Sequence, residues 1–291
     1  MPAEPAQQAL AIFELCLLAA GVLLFAWIVL HPAARRRWFG TNALRTWEVS
    51  GPEFALLGVL VFLCGFLGQA AAQTLLGAWI SRQPDRDGLQ LFAYGAAFHG
   101  GALLGWRLFP VCRRRWLADY GAPLPADPPA AALPAGRVAR YAAGSLVVAL
   151  PLLGLISLGW TSLLREAGLP DEPQDLIGIF ANTRSAAVIA GMFVVACVIA
   201  PLNEELIFRA GLYRFCRQRL GRAASLLVSG TLFGALHANW AGFLPLAALG
   251  MGLALVYEAT GSIRVPVLVH ALFNLNTVLV VLSGLPQALP P

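Results

Sequence analysis

Two adjacent carboxylates and an arginine follow a long uncharged stretch in the second half of the sequence. Glu204 and Glu205 come directly after residues 186–203, which carry no charge, and Arg209 follows four positions after Glu205. In a helix, residues four apart share a face, whereas adjacent residues point about 100° apart. Glu205 can therefore pair with Arg209, which leaves Glu204 without that partner. An unpaired carboxylate in an apolar segment has the chemistry of a general base. The alternative is that both acids are interfacial charges facing water.

A histidine on the next segment is expected at the depth of Glu204. The turn between the two segments is predicted at residues 219–222, so that Glu204 and His237 lie almost equally far along the chain from Gly221. In an antiparallel hairpin of helices rising about 1.5 Å per residue, the two side chains then lie at nearly one level. A carboxylate and an imidazole there could hold one water molecule. The alternative is a packing histidine bonded to a neighbouring helix.

His270 and Asn274 form a second i, i+4 pair, on the last apolar segment. An imidazole N–H and a carboxamide N–H are neutral donors, and two donors on one helix face can converge on a developing negative oxygen. The alternative is a polar pair that joins helices. His99 lies among glycines and is interpreted as a helix-packing residue, and Gly250 and Gly252 predict close contacts between helices.

The elements that carry these residues are membrane helices. The chain has 291 residues, of which 58% are hydrophobic and 12% are charged, about half the charged fraction of a soluble protein. Apolar stretches of bilayer-spanning length recur along it. The sequence predicts an all-α, polytopic membrane protein with about eight transmembrane helices, whose last four to five form the bundle holding the polar residues. The predicted spans are 9–30, 54–80, 89–109, 141–164, 185–208, 224–241, 243–259 and 264–283.

The distribution of arginine predicts the orientation of these spans. The first, third and fifth loops carry arginine clusters, whereas the second loop is balanced and the fourth is acidic. The positive-inside rule then places the odd loops in the cytoplasm and both termini outside it. We expect a multi-pass protein of the cell membrane, in a bacterium the inner membrane. Because membrane topology accounts for the arginines, their excess predicts no nucleic-acid partner.

A Pro- and Ala-rich stretch divides the predicted spans into two groups. We predict a three-span N-terminal region over residues 1–120, a cytoplasmic linker over 121–140 and a five-span core over 141–291. The five cysteines are scattered and form no CxxC pair or disulfide framework.

The three polar motifs together resemble the CPBP family of intramembrane endopeptidases, which takes its name from CAAX prenyl proteases and bacteriocin-processing enzymes. The family pattern is EExxxR, then FxxxH, then HxxxN on successive late spans. Here it reads Glu204-Glu205-Leu-Ile-Phe-Arg209, Phe233-Gly-Ala-Leu-His237 and His270-Ala-Leu-Phe-Asn274. The resemblance covers roughly residues 180–283, with a departure at Ala210, where many relatives have Gly or Ser.

The resemblance implies peptide hydrolysis by a glutamate-activated water, without a metal or another cofactor. Glu204 would be the general base, His237 would orient the water, and His270 and Asn274 would stabilise the oxyanion. Glu205 and Arg209 would hold the geometry of the helix, with Phe233 supporting the site. The expected substrate is a membrane-associated protein or peptide in the lipid bilayer. Neither its identity, nor whether it is prenylated, nor the oligomeric state of the protein follows from the sequence.

Two other functions are compatible with these residues. Glu and His side chains bind zinc in metalloproteases, although the sequence has no HExxH motif. Intramembrane Glu and His also form proton relays in transporters, so a non-enzymatic membrane protein, such as a proton-coupled transporter or an immunity or scaffold protein, is the second alternative.

Overall fold

The computed structural model describes residues 5–40, 44, 49–117, 133–172 and 175–283, and within those ranges the chain is almost entirely helical and has no strand. The predicted all-α class is confirmed. The helices are α1 (Pro5–Leu30), α2 (Pro32–Arg35), α3 (Gly51–Ile80), α4 (Arg86–Leu117), α5 (Ala135–Glu166), α6 (Asp175–Asn182), α7 (Ala186–Arg217), α8 (Gly221–Ala235), α9 (Trp240–Thr260) and α10 (Arg264–Leu282), with a π-helical turn at Arg36–Gly40 after α2.

Six of these helices, all in the described ranges, are long and apolar enough to cross a membrane: α1, α3, α5, α7, α9 and α10. A multi-pass membrane protein is therefore supported, although two of the eight predicted spans do not meet this criterion. The first exception, α4, is long enough to cross, but glycines, Gln90 and His99 lower its mean hydropathy. The second, α8, has 15 residues, so at about 1.5 Å per residue it is shorter than the ~30 Å hydrocarbon layer.

The helices form two compact units, and each unit combines segments that are distant in sequence. One unit contains α1, α2, α5, α6, α8, α9, α10 and the part of α7 from Glu204 onward. The other contains α3, α4 and α7 up to Asn203. The predicted division at 1–120, 121–140 and 141–291 follows chain order and stays a prediction. Most of its linker, residues 118–132, lies outside the described ranges, and α5 already begins at Ala135.

Within the unit of α3 and α4, glycines allow the two backbones to touch. A Cβ atom at Gly101 would lie 2.1 Å from the Cys64 carbonyl oxygen, and one at Gly105 would lie 2.5 Å from that of Leu60. This is the small-residue packing typical of membrane helices. The start of α7 is held in the same unit, because the Asp85 carboxylate accepts hydrogen bonds from the backbone N–H groups of Arg184 and Ser185, at 3.0 and 2.9 Å.

Within the other unit, α8 packs on α9 through a second set of glycines. Cβ atoms at Gly230 and Gly234 would lie 2.6 and 2.5 Å from carbonyl oxygens of α9, and one at Gly250 would lie 3.0 Å from the Gly230 Cα atom. The close packing predicted at Gly250 is confirmed. The same prediction for Gly252 is wrong, because that position faces open space, with nothing within 4 Å of its hypothetical Cβ atom.

Candidate active site

The helix that carries the two glutamates runs without a break from Ala186 to Arg217. Two parts of it, Val195–Ile199 and Leu206–Tyr213, are π-helical. In such segments the backbone hydrogen bonds join residues five apart, and they occur often at functional sites. The second segment begins directly after Glu205 and includes Gly211. The helix therefore continues past that glycine in a wider, π-helical turn and does not end there.

Glu205 and Arg209 form the pair that their spacing predicts. The Arg209 Nη1 and Glu205 Oε1 atoms lie 3.0 Å apart, and both side chains are fully buried. Arg209 Nη2 donates a hydrogen bond of 3.1 Å to the Gly250 carbonyl on α9. The guanidinium carbon also lies 4.5 Å from the centre of the Phe233 ring on α8, a distance at which a cation and an aromatic face attract. One buried arginine therefore joins α7, α8 and α9.

His270 connects this pair to the second glutamate. Its Nδ1 atom lies 2.9 Å from Glu205 Oε1, and its Nε2 atom lies 3.7 Å from Glu204 Oε2. The second separation is too long for a direct hydrogen bond. It is short enough for one water at about 2.8 Å to contact both atoms. The contact between Glu205 and His270 was not predicted, because the rotation of α10 about its axis is not visible in its sequence.

The two glutamates differ in exposure. Glu204 keeps 21% of its side-chain surface exposed, whereas Glu205 keeps none. The spacing predicts that only Glu205 is paired with the arginine, and it predicts nothing about the exposure of the two acids. Glu204 is thus the acid that a substrate or a water molecule can reach.

Phe233 brings His237 to the edge of the same cluster. The Phe233 ring, fully buried, lies 4.9 Å from the His237 ring and 5.6 Å from the His270 ring, measured between centroids. The sequence predicts His237 inside a span, but it lies two residues beyond Ala235, the last residue of α8. Its Nδ1 atom is 2.7 Å from the Phe233 carbonyl oxygen. That His237 and Glu204 share a water stays a prediction.

Asn274 lies one turn after His270 on α10 and is half-buried. The helix is unbroken between the two residues, so their predicted common face is preserved. Their joint action on one oxygen atom stays a prediction.

Known proteins resemble the region that contains this cluster. Residues 186–276 match the family described as "Type II CAAX prenyl endopeptidase Rce1-like". Over these residues the chain is similar to that family. All seven residues named as site or supporting residues lie within the match: Glu204, Glu205, Arg209, Phe233, His237, His270 and Asn274.

Two curated proteins are also similar to the chain. One is the Bacillus subtilis (strain 168) protein named "Putative membrane peptidase YdiL", 30% identical over 92 residues. That alignment covers 32% of this chain and 38% of the relative, so the chain spans less than half of that relative's length. The other is an Escherichia coli protein named "Uncharacterized 24.3 kDa protein", 27% identical over 202 residues, which are 66% of this chain and 85% of the relative. No solved structure matches the chain.

A buried asparagine next to the two glutamates was missed in the sequence. Asn203 is fully buried, and its Nδ2 atom lies 3.0 Å from His99 Nδ1 within the unit of α3 and α4. This contact agrees with the interpretation of His99 as a helix-packing residue. The available signal was a polar residue at the end of an otherwise apolar stretch.

A buried glutamate near the end of α9 was missed as well. The Glu258 carboxylate, almost fully buried, lies 3.1 Å from Arg217 Nε and 2.8 Å from Arg222 Nε, and it accepts a hydrogen bond of 2.8 Å from the Tyr213 hydroxyl. Arg217 and Arg222 belong to the arginine cluster of the predicted fifth loop, and both are ion-paired. This cluster ties the turn between α7 and α8 to the end of α9.

In the part of the chain that the structure describes, no three His, Cys, Asp or Glu side chains are arranged to hold a metal ion. The polar groups of the matched region lie in a row, Arg209–Glu205–His270–Glu204. Such a row can carry a proton or orient a water molecule, with one end buried and the other accessible.

Proposed function

We propose that the protein is an intramembrane endopeptidase that hydrolyses a peptide bond with a water activated by Glu204. The observation that carries this proposal is the partly exposed Glu204 carboxylate, 3.7 Å from His270 Nε2, at the end of a buried row of charges. The match to a family of CAAX-type endopeptidases supports the same chemistry. The glutamate mechanism is our proposal, since neither relative's name states a mechanism.

Glu204 would take a proton from the attacking water, and His237 would orient that water. The His237 Nδ1 atom lies against a carbonyl oxygen, which only accepts hydrogen bonds. In the neutral ring Nδ1 therefore carries the proton, and Nε2 is the acceptor. A water that gives one hydrogen to Glu204 and one to His237 would direct its lone pair away from both.

His270 would stabilise the oxyanion as an imidazolium. Its Nδ1 atom lies against Glu205, whose carboxylate, paired with Arg209, is an acceptor. Nδ1 then carries a proton, so Nε2 can donate only when the ring is doubly protonated. This differs from the neutral donor expected from the sequence. Asn274 would supply the second donor.

The reaction follows in two steps. The water oxygen attacks the scissile carbonyl carbon while its proton passes to Glu204, and the carbonyl electrons move to the oxygen, which faces His270 and Asn274. The tetrahedral intermediate then collapses, the C–N bond breaks, and Glu204 returns the proton to the leaving amine. The groups required are a base, an orienting acceptor and two donors.

The substrate would be a membrane-associated protein or peptide. Since Glu204, His270 and Asn274 lie on membrane helices, the scissile bond must enter the bilayer or its edge. The compartment would be the cell membrane of a bacterium, with both termini outside the cytoplasm.

The test is a search for uncleaved substrates in cells. A strain that produces only the Glu204→Gln variant should accumulate one or more full-length membrane proteins that the wild-type strain shortens. Glu166→Gln is the matched control, because Glu166 is an exposed acid at the end of α5. If quantitative peptide mapping of membranes finds no difference between the two strains, the proposed activity is wrong.

The two alternatives give different results with purified protein. A zinc enzyme would lose cleavage after treatment with a chelator and regain it with added zinc. A proton-coupled transporter would move solute in vesicles only under a pH gradient, and it would cleave nothing.

A further inference from the structure

A cavity separate from the glutamates lies among α1, α5, α9 and α10. It has a volume of about 730 Å³, and it is lined mainly by aliphatic and aromatic side chains, among them Leu24, Ile28, Leu152, Leu249 and Met251. None of the seven site and supporting residues, all of which the structure describes, lines it. A cavity of this size is in the range of small-molecule sites.

One end of the cavity is polar and aromatic. Arg140 and Tyr141 line it from the first turns of α5, together with Trp38 from the segment after α2. Arg140 is exposed, and it has no hydrogen-bond or ion-pair partner among the described residues. A second cation, Arg37, donates a hydrogen bond to the Tyr141 hydroxyl and lies over the Tyr141 ring, 5.0 Å from its centre. Arginine beside Trp and Tyr is typical of the membrane–water interface.

A hydroxyl group lies about one helical turn deeper in the cavity. Ser145 lines the wall, and its Oγ atom is buried without a hydrogen-bond partner in the part of the chain that the structure describes. Buried hydroxyl groups in proteins almost always have a partner. The position therefore fits a ligand with an acceptor oxygen between its charged head and its apolar tail.

The apolar wall continues well beyond the hydroxyl. From Arg140 to Ile156 the cavity follows α5, a distance of about 24 Å at 1.5 Å per residue. The hydrocarbon of one leaflet is about 15 Å deep. A chain that starts at the interface can therefore stay inside the wall for the whole depth of its leaflet.

We propose that this cavity is a binding site for one anionic glycerophospholipid. Its phosphate lies at Arg140, with Arg37 beside it, an ester carbonyl accepts a hydrogen bond from Ser145, and an acyl chain fills the space among Leu24, Leu152 and Met251. The phosphate, the ester carbonyl and the acyl chain of that lipid match the arginine end, the hydroxyl group and the apolar wall of the cavity, in that order. The proposal does not depend on the peptidase activity, because it uses other residues.

Gly252 offers a way to fill the cavity without disturbing the fold. It lines the wall, and nothing lies within 4 Å of a Cβ atom built there. Phenylalanine at this position would occupy the space assigned to the acyl chain. Gly154 is the matched control, because it also lies in a helix with nothing within 4 Å of a Cβ atom, and it does not line the cavity.

The experiment measures the lipid that stays bound to the purified full-length protein. The protein is reconstituted with phosphatidylglycerol and phosphatidylcholine in equal amounts, extracted in mild detergent and analysed by native mass spectrometry. Wild type and Gly154→Phe should retain one phosphatidylglycerol, and Gly252→Phe should lose it. Arg140→Gln should lower the preference for the anionic lipid about fivefold, since one basic residue near an anionic headgroup contributes about 1 kcal/mol.

A bromine-labelled lipid gives a second readout, because Trp27 and Trp38 line the cavity. Brominated phosphatidylglycerol should quench tryptophan fluorescence less in Gly252→Phe than in Gly154→Phe. Equal retention of the two lipids by the wild type would overturn the proposal. So would a bound mass other than a phospholipid, or unchanged retention in a folded Gly252→Phe variant. If that variant does not fold, the Arg140→Gln result decides the question.

Discussion

Glu205 is the residue on which the arrangement of the site depends. It is fully buried and contacts Arg209 on its own helix and His270 on α10. Spacing along one helix predicts the first contact, because residues four apart share a face. The second contact depends on how α10 is rotated and how deep it lies, which tertiary packing determines. The role of Glu205 as a partner of His270 therefore emerges only from the structure.

We expect Glu205→Gln to be strongly destabilising. It removes the negative charge beside a fully buried arginine, and an uncompensated buried charge costs about 3–5 kcal/mol. The free energy of unfolding in mild detergent should fall by about that amount. Glu204→Gln should change it by less than about 1 kcal/mol, because the side chain is partly exposed and makes no direct hydrogen bond with His270.

A double variant separates charge from shape at this position. When Arg209→Met is added to Glu205→Gln, both charges of the buried Glu205–Arg209 pair are gone, and a large part of the lost stability should return. If the double variant is instead less stable than Glu205→Gln alone by the full cost of a second core defect, the unpaired charge of Arg209 is not what destabilises the single variant.

At the scale of the helices, the contact between α8 and α9 positions Phe233 and His237. Each of the eight predicted spans is helical over most of its length, but the predicted span 224–241 runs past Ala235, the last residue of α8. The chain turns at Ala238, whose φ of +50° is left-handed, and Asn239 then caps α9 by accepting a hydrogen bond from the Gly242 N–H. Asn239 is a typical N-cap residue and was the signal that the sequence offered. The π-helical segments of α7 have no comparable signal.

We expect Gly234→Ala to weaken the site through this contact. The added Cβ atom would lie 2.5 Å from the Phe243 carbonyl oxygen and 3.0 Å from the Ala247 backbone nitrogen, and overpacking of this kind costs about 1–3 kcal/mol. The melting temperature in detergent should fall. Gly159→Ala is the control, since nothing lies within 4 Å of its Cβ atom and alanine favours a helix over glycine by up to about 1 kcal/mol. Equal melting temperatures for the two variants would contradict the packing argument.

At the scale of the whole molecule, the orientation in the membrane is the prediction that most needs a test. The alternation of arginine between loops indicates eight spans, whereas six described helices meet the criterion of length and apolarity. The criterion treats each helix alone and takes no account of which of its faces neighbouring helices cover. The two findings differ for α4 and α8.

Single cysteines in a cysteine-free variant can decide between them for α4. With eight spans, a membrane-impermeant maleimide added outside intact cells should label Gln7→Cys. It should label Arg36→Cys and Arg137→Cys only after the membrane is opened. Labelling of Arg137→Cys in intact cells would mean that α4 does not cross, and labelling of Arg36→Cys would reverse the predicted orientation.

The most direct test of the central claim is the rate of peptide-bond hydrolysis by purified protein in liposomes. A substrate found by accumulation in Glu204→Gln cells is cleaved by wild type, Glu166→Gln and Glu204→Gln protein, and the new ends are identified by mass spectrometry. We predict that Glu204→Gln lowers the rate by at least ~10²-fold, the contribution of a general base, while its melting temperature stays near that of the wild type. Cleavage at the wild-type rate by a folded Glu204→Gln variant would contradict the account.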